Sequence, residues 1–207
     1  MKNGSIYKYA RMFALAVLAG IAIGIGGIVY LTMENKTAGA LLFTVGLYTI
    51  CTHGLNLFTG KAGYLVLQPA SYLVDLLLIW CGNLAGTALA AAAVRQTRIA
   101  VISYAAEAIC QAKLADSFLS LFILGMFCGF LMYISVEGYK ITQNPLILFL
   151  GVAAFILCGF EHCIADMFYF SAARVWSVQA FLRVLVISCG NVAGSVLIPL
   201  FKKIPQG

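Results

Sequence analysis

Length, composition and charge place this chain outside the range of soluble proteins. Of its 207 residues, 63% are hydrophobic and 10% are charged, whereas soluble domains are about 45–50% apolar and about 25% charged. A chain of this length cannot hide so much apolar surface from water, so lipid must be its solvent. The formal charge of +6 comes from scattered cations, and without a basic stripe we expect no nucleic-acid partner.

Six apolar segments are long enough to cross a bilayer, which takes about 20 residues. They lie at residues 12–33, 39–58, 72–94, 117–136, 145–161 and 181–201. The first is too long for the core of a signal peptide, so we expect it to remain as a span. The connections are short and polar, so the sequence predicts an all-α integral membrane protein with a single transmembrane domain over residues 1–207.

The connections also bear on orientation. The longest one, Arg95–Asp116, is the place where a partly amphipathic surface element fits. Six spans put both termini on one side of the membrane, and cations in the tails favour the cytoplasmic side of the cell membrane for both. These cations are Lys2, Lys8, Arg11, Lys202 and Lys203. The bias is weak, because the long external connection carries cations as well.

Spans two and five are interrupted. Span two leads into Gly54–Gly63, where three glycines and a lysine disturb the helix. Span five leads into Gly159–Phe168, which places Glu161, His162 and Asp166 at or near membrane depth. Because ionisable groups are costly against lipid, we expect these three to face a cavity or the interior of the bundle.

The two halves of the chain carry the same sequence motif. Cys81–Gly86 in span three and Cys189–Gly194 in span six both read Cys-Gly-Asn-x-Ala-Gly. Each interruption precedes the span that contains its copy. Three spans per half reverse the second copy, so the sequence predicts two inverted three-helix repeats. Interrupted helices at matching positions in such repeats indicate a transport site near the midplane of the bilayer.

At these residues the chain resembles the formate/nitrite transporter family, over nearly its whole length. The resemblance implies an aquaporin-like fold and a homopentamer with one pore in each protomer. It also implies conduction of small monovalent anions such as formate, nitrite, hydrosulfide or lactate. The motifs that carry it are Leu57-Phe58-Thr59-Gly60, Gly159-Phe160-Glu161-His162-x-x-Ala165-x-Met167-Phe168, and the two Gly-Asn-x-x-Gly stretches.

The resemblance further implies roles for individual side chains. His162 corresponds to the central histidine of the pore, Thr59 to the threonine of the interrupting loop, and Lys113 to a basic residue beside the outer vestibule. Two apolar constrictions flank the histidine in the family. Their matching positions are Phe43 and Phe155 toward the outside and Leu47, Leu57 and Phe58 toward the inside.

Three further polar residues belong to the expected site. Glu161, beside His162, either lines the pore or pins the interrupted segment. Asn83 and Asn191 are expected to hydrogen-bond the backbone that the two interruptions free, and so to shape the pore.

Four positions depart from the family pattern and put substrate preference and pH response in question. Asn56 stands where an acidic residue is usual, and Gly129 replaces an asparagine of span four. Cys163 replaces a serine, and Asp166 replaces an asparagine.

An anion pays a large desolvation cost on entering hydrocarbon, roughly tens of kcal/mol for an isolated charge. Positive charge at Lys113 and at the N-termini of the broken helices can gather anions in a vestibule. The anion can then cross the apolar constrictions as its neutral conjugate acid, with a proton acquired at or near His162. The proton can come from the ring or from vestibule water. The alternative function is an aquaporin-like pore for a neutral solute.

Each of these residues also has a structural interpretation. His162 can bridge helices, Lys113 can be a solvated loop cation, and the apolar constriction residues can be ordinary core. Asp166 can pair with a half-helix end or a neighbouring protomer. The cysteines near His162 fit no standard zinc spacing, and no serine–histidine arrangement accompanies them. We therefore expect no enzyme, no metal and no cofactor, with a small anion, protons and lipid as partners.

Overall fold

The structure is a computed structural model that describes residues 2–203, with side chains from Ile6 onward, so Met1 and residues 204–207 of the expected domain lie outside it. The described residues fold into helices joined by short turns. In chain order these are α1 (Lys2–Thr32), α2 (Lys36–His53), α3 (Phe58–Lys61), a 3₁₀ helix (Ala62–Leu67), α4 (Tyr72–Val94), α5 (Ile102–Ala115), α6 (Phe118–Thr142), α7 (Leu146–Leu157), α8 (Cys163–Ala173) and α9 (Val178–Lys202).

Four of these helices are long and apolar enough to cross a membrane: α1 from Ile6, α4, α6 and α9. A fifth candidate is bent by 51°, and it joins α2 to the segment Phe58–Leu67. The remaining apolar helices, α7 and α8, are shorter. The chain is therefore an all-helical membrane protein whose second and fifth apolar segments are divided.

Several predicted boundaries were wrong. The first helix begins ten residues before the predicted 12–33 segment, at Lys2. Within the predicted segments 39–58 and 145–161, α2 ends at His53 and α7 at Leu157, so each helix ends several residues before the predicted bound and the chain is interrupted there, as expected. Helix α8 lies in a region that the sequence left without a predicted helix. Glu161 and His162 just before it and Asp166 in its first turn lowered the apparent hydropathy there.

Helices α2 and α7 end in the same way. Gly54 and Gly159 follow them with φ of 63° and 69°, a left-handed conformation that glycine adopts without a Cβ penalty. The next amide in each case returns to the helix, from Leu55 to the Ile50 carbonyl at 3.0 Å and from Phe160 to the Phe155 carbonyl at 2.8 Å. Both interruptions are thus built as glycine-terminated helix ends.

Small residues allow the long helices to pack closely in two equivalent pairs, α1 with α4 and α6 with α9. A Cβ at Gly86 would overlap the carbonyl of Val17, and a Cβ at Gly194 would overlap that of Met126. Such close backbone approach is typical of membrane helices.

Gly129 takes part in the same packing. A Cβ at this position would overlap the carbonyl of Asn191, just as a Cβ at Gly20 would overlap that of Asn83. The departure at Gly129 therefore has a steric reason in this chain.

The ends of the helices show how the two halves are placed. Lys8 at the start of α1 approaches Asp75 at the start of α4, at 3.9 Å. Glu137 near the end of α6 accepts from Tyr64 of the 3₁₀ helix, and Lys203 after α9 donates to the Val66 carbonyl. The 3₁₀ helix directly precedes α4, so α6 and α9 end on the side of the molecule where α1 and α4 begin. We term this side the terminal side.

Helix α5 fills the long connection on the opposite side. Its Ile102, Ala106 and Cys110 are buried and pack toward α8, whereas Tyr104 is exposed. This amphipathic helix carries Lys113 in its last turn.

Candidate pore site

His162 lies at the N-terminus of α8 with its side chain 2% exposed. Its Nδ1 accepts a hydrogen bond from the amide of Ala165 at 3.1 Å, so the ring caps the helix that follows it. Its Nε2 lies 2.8 Å from the hydroxyl oxygen of Thr59. Because Nδ1 accepts from an amide, a neutral ring carries its proton on Nε2 and donates it to Thr59. Helices α3 and α8, one from each interruption, thereby meet at this bond.

Aromatic rings cover one face of the imidazole. Phe155 stacks on His162 with ring centroids 5.5 Å apart and an interplanar angle of 18°. Phe43 packs edge-on against Phe155, at 6.2 Å and 86°. The histidine is thus held in an apolar wall, where a bare ion would be strongly disfavoured.

Two asparagines hold the interruptions in place by the same set of bonds. Asn83 Oδ1 accepts from the amide of Phe58 at 2.9 Å, and its Nδ2 donates to the carbonyls of Ala16 at 2.8 Å and Asn56 at 2.9 Å. Both polar atoms of this buried side chain therefore form hydrogen bonds with backbone groups.

Asn191 repeats this arrangement in the second half. Its Oδ1 accepts from the amide of Cys163 at 3.0 Å, and its Nδ2 donates to the carbonyls of Gly125 and Glu161, both at 2.8 Å. Leu57 and His162 occupy equivalent places, each between the two backbone groups that an asparagine binds. The two halves differ at this place in one side chain, leucine in one and histidine in the other.

Asn56 and Glu161 are equivalent as well, and the departure at Asn56 has a local reason. Asn56 Nδ2 donates to the Met12 carbonyl at 3.0 Å, a bond that the acidic residue usual here would be unable to make. The backbone amides of both residues reach the preceding long helix, to Leu15 and Leu124, each at 3.3 Å.

Two cavities approach the site from opposite sides. The first, the histidine cavity, has a volume of about 320 Å³ and is lined by His162, Phe155, Lys113, Glu161, Asp166 and Tyr169 among others. The second, the lysine cavity, has a volume of about 110 Å³ and is lined by Lys61, Lys140, Leu57, Gly60 and Val136 among others. No described residue lines both cavities.

The other expected site residues lie outside both cavity linings. Thr59, Phe43, Leu47, Phe58, Asn83 and Asn191 are each at most 6% exposed. In this conformation the apolar residues therefore form closed packing rather than open rings. Asn83 and Asn191 bind backbone and are not exposed to either cavity.

Lys113 forms the charged part of the histidine cavity. Its ammonium contacts the carboxylate of Glu161 and lies 2.8 Å from that of Asp166, and its side chain is only 11% exposed. Burial lowers the pKa of Lys113, but the two carboxylates raise it more, so its pKa lies above the ordinary value. Lys113 is thus a largely buried cation rather than a solvated loop residue, and Asp166, in the first turn of α8, pairs with it.

Arg183 is a further residue of this region, which the sequence alone did not single out. It donates from Nε to the Lys113 carbonyl at 2.9 Å and from Nη2 to the Leu114 carbonyl, and its guanidinium lies 5.2 Å from the centroid of Phe118. A cation at the C-terminus of a helix satisfies its last carbonyls. An arginine near the start of an otherwise apolar span was the signal that could have revealed it.

Lys61 and Lys140 were missed as well. Lys61 directly follows the Leu-Phe-Thr-Gly motif, and both lysines line the lysine cavity. The cysteines near His162 do not form a reactive cluster: Cys158 is exposed, whereas Cys163 is buried. Among the described residues no group of histidine, cysteine and acidic side chains is placed to hold a metal ion.

Known proteins resemble this chain in sequence. Formate channel FocB of Escherichia coli K12 is 26% identical over 190 residues, which cover 78% of this chain and 67% of that protein. Formate channel FocA of Haemophilus influenzae is 25% identical, over 84% of this chain and 75% of that protein. These relatives are channels rather than enzymes.

Known structures resemble it in fold. A pentameric formate channel with formate bound superimposes with a TM-score of 0.80 and 26% identity, covering 95% of this chain and 96% of the other. An ion channel described as belonging to the FNT family gives a TM-score of 0.80 at 20% identity and covers 98% of both chains, which shows a shared fold. A model of the formate/nitrite transporter family matches residues 2–202. This chain belongs to the formate/nitrite transporter family.

Proposed function

We propose that this protein is a channel for small monovalent anions of the formate, nitrite or hydrosulfide class, which cross its apolar core as conjugate acids. The observation that carries the proposal is the buried His162–Thr59 pair, which lies among apolar side chains and joins the two interruptions. The relatives named formate channels support the substrate class.

The architecture that we propose is six spans in two inverted repeats, within one domain over residues 1–207. The equivalent asparagines Asn83 and Asn191 support it, because each binds an interrupted segment to the first helix of its own half. The opposite directions of α1 and α6 support it as well. Helices α2 with α3, and α7 with α8, would then act as the two broken spans.

The proposed path runs from the histidine cavity past Phe155 and Phe43, then past His162, and then past Leu57, Phe58 and Leu47 to the lysine cavity. These two apolar groups are the proposed constrictions. Side-chain rotation at them would open the closed packing. A charged substrate would lose its water in this stretch, so the neutral acid is the form that passes.

His162 would act in the middle of the path. Its Nε2–H, which donates to Thr59, can turn away from that partner and donate a hydrogen bond to the arriving substrate. Glu161 and Lys113 would form the charged entrance to the region around His162, because their ion pair lines the same cavity as the imidazole ring. Asn83 and Asn191 would keep the two helix ends aimed at this point.

We further propose that the protein is a homopentamer in the cell membrane. The solved formate channel of similar fold is pentameric, and large apolar side chains such as Leu119, Val178 and Leu150 are exposed on the isolated protomer. Both termini are placed in the cytoplasm, because Lys8, Arg11, Lys202 and Lys203 lie on the terminal side. The histidine cavity then faces outward.

The test is anion uptake by proteoliposomes, followed by stopped-flow at several pH values. Formate, nitrite, hydrosulfide, chloride and glycerol are compared in the wild type, in His162→Asn, and in His53→Asn as a matched control. His53 is an exposed histidine that contacts Thr49 and Thr52. We expect formate-class uptake that depends on His162 and on the proton gradient, and unchanged uptake in the control. Passage of glycerol together with exclusion of the anions would overturn the proposal.

A further inference from the structure

The charged cluster of the histidine cavity carries one carboxylate more than it has cations. Lys113 contacts Glu161 and Asp166 together, and the side chains of both carboxylates are almost fully buried. One ammonium neutralises one of the two carboxylates. An unprotonated cluster therefore holds an excess negative charge away from bulk water, which is costly.

Asp166 has an oxygen available for a proton. Its Oδ1 faces Lys113, whereas its Oδ2 is buried and has no hydrogen-bond partner among the residues that the structure describes. An ionised oxygen left in this way loses its hydration without compensation. Protonation of Asp166 removes the excess charge, and a neutral carboxyl group needs fewer hydrogen-bond partners than an ionised one.

Among the described residues, Lys113 is the one cation paired with Asp166, because the nearby Arg183 donates to backbone carbonyls of residues 113, 114 and 116. Lys113 is the cation that faces it, and His162, Tyr30 and Tyr169 line the same cavity. Cys110 on α5 and Cys128 on α6 are buried cysteines that bring no positive charge. Asp116 also lines the cavity, but it accepts from Ser117 and Ser120, both at 2.7 Å, and is not part of the cluster that Lys113, Glu161 and Asp166 form. One proton is consequently what the cluster needs to reach neutrality.

We propose that Asp166 and Glu161 hold one exchangeable proton, and that the Asp166 carboxyl group is the acid that protonates the anion entering the histidine cavity. This inference rests on the proposed function and deepens it. The O–H bond at Asp166 breaks and an O–H bond forms on the substrate anion, so a neutral acid and an ionised Asp166 result. No electrons are transferred, and a second proton from the bulk solution then protonates Asp166 again.

The charge of the cluster links entry of the anion to its protonation. An unprotonated cluster repels an anion from the cavity, whereas a protonated one presents the Lys113 ammonium without an excess of negative charge. The anion therefore enters when the proton is already in place. His162 then receives a substrate that is neutral.

Infrared spectroscopy of the reconstituted protein without any anion tests the proton directly. We expect the wild type to show a protonated carboxyl C=O band that titrates with pH, and we expect Asp166→Asn to lack it. Glu161→Gln should lack it as well, since removal of either carboxylate removes the excess charge. Asp75→Asn, a matched change on the terminal side, should keep the band. Absence of the band in the wild type would overturn the inference, whether or not any anion is transported.

Formate uptake tests the donor. Asp166→Asn should lower the maximal flux by about a hundredfold, a common loss when a general acid is removed, while the KM for formate falls because the repulsion is gone. A merely structural residue would not lower KM and flux together. An unchanged maximal flux in folded, pentameric Asp166→Asn would contradict the inference. Absence of formate flux in the wild type would instead contradict the proposed function, and the infrared result would still stand.

Discussion

Thr59 and His162 are 103 positions apart in the chain, yet the Thr59 hydroxyl oxygen lies 2.8 Å from His162 Nε2 in a buried contact. This bond joins α3 of the first half to the N-terminus of α8 in the second. It fixes the ring orientation from one side, while the Ala165 amide fixes it from the other.

Thr59→Val tests this bond. The change preserves the shape of the side chain but leaves Nε2–H without an acceptor, at a cost of about 1–3 kcal/mol for a buried polar group. Thermal unfolding of the purified protein should show the loss. Thr52→Val is the control, because its hydroxyl bonds to the Tyr48 carbonyl of its own helix at an exposed position. Equal stability of the two variants would argue against a structural role for the Thr59–His162 bond.

Substitution of either equivalent asparagine should lower the free energy of unfolding by a similar amount. Asn83→Ala and Asn191→Ala each remove three hydrogen bonds and leave buried backbone groups unpaired, so each should cost about 3 kcal/mol or more. Denaturation curves of the two variants measure this. A large loss in one variant and a negligible loss in the other would contradict the repeat.

Gly129→Asn, which restores the residue usual in the family, should destabilise this protein. Its Cβ would overlap the Asn191 carbonyl, and overpacking of this kind costs about 1–3 kcal/mol. Gly60→Ala is the matched control, since its nearest neighbour, a Val136 methyl group, would be 3.5 Å from the new Cβ. The melting temperatures of both variants check this prediction, and a Gly129→Asn protein as stable as wild type would refute the steric explanation.

Lys61→Gln should weaken anion entry from the terminal side alone. Lys61 lines the lysine cavity together with Lys140, and loss of one cation lowers the local attraction for anions. We expect the KM for formate to rise several-fold in vesicles that present this side to the medium, and less so at high salt. Lys36→Gln, on the opposite side, should leave entry from the terminal side unchanged. If Lys61→Gln raised the KM for formate by the same factor from both sides of the membrane, the placement of Lys61 at the terminal-side entrance would be contradicted.

The sequence predicted the parts of the fold that depend on composition and on local glycine signals. Apolar length revealed the long helices, and Gly54 and Gly159 marked both interruptions. It also identified Asn83 and Asn191, because their motif is repeated. Helix α8 escaped prediction, since its buried acid and histidine read as a polar connection.

Contacts between side chains of different helices could not be predicted from the sequence. Lys113 meets Asp166 only because α5 folds back over α8, and Arg183 contributes by holding the last carbonyls of α5. Such contacts depend on how helices distant in sequence pack against each other. The steric role of Gly129 likewise becomes visible only with Asn191 beside it.

Simultaneous recording of formate uptake and internal pH in proteoliposomes tests the central claim most directly. If the substrate crosses as its conjugate acid past His162, every formate carries one proton inward. Wild-type uptake should then acidify the lumen without building a membrane potential, and His162→Asn should abolish or strongly slow it. Formate uptake that builds a potential, leaves the internal pH unchanged and persists in His162→Asn would contradict the account.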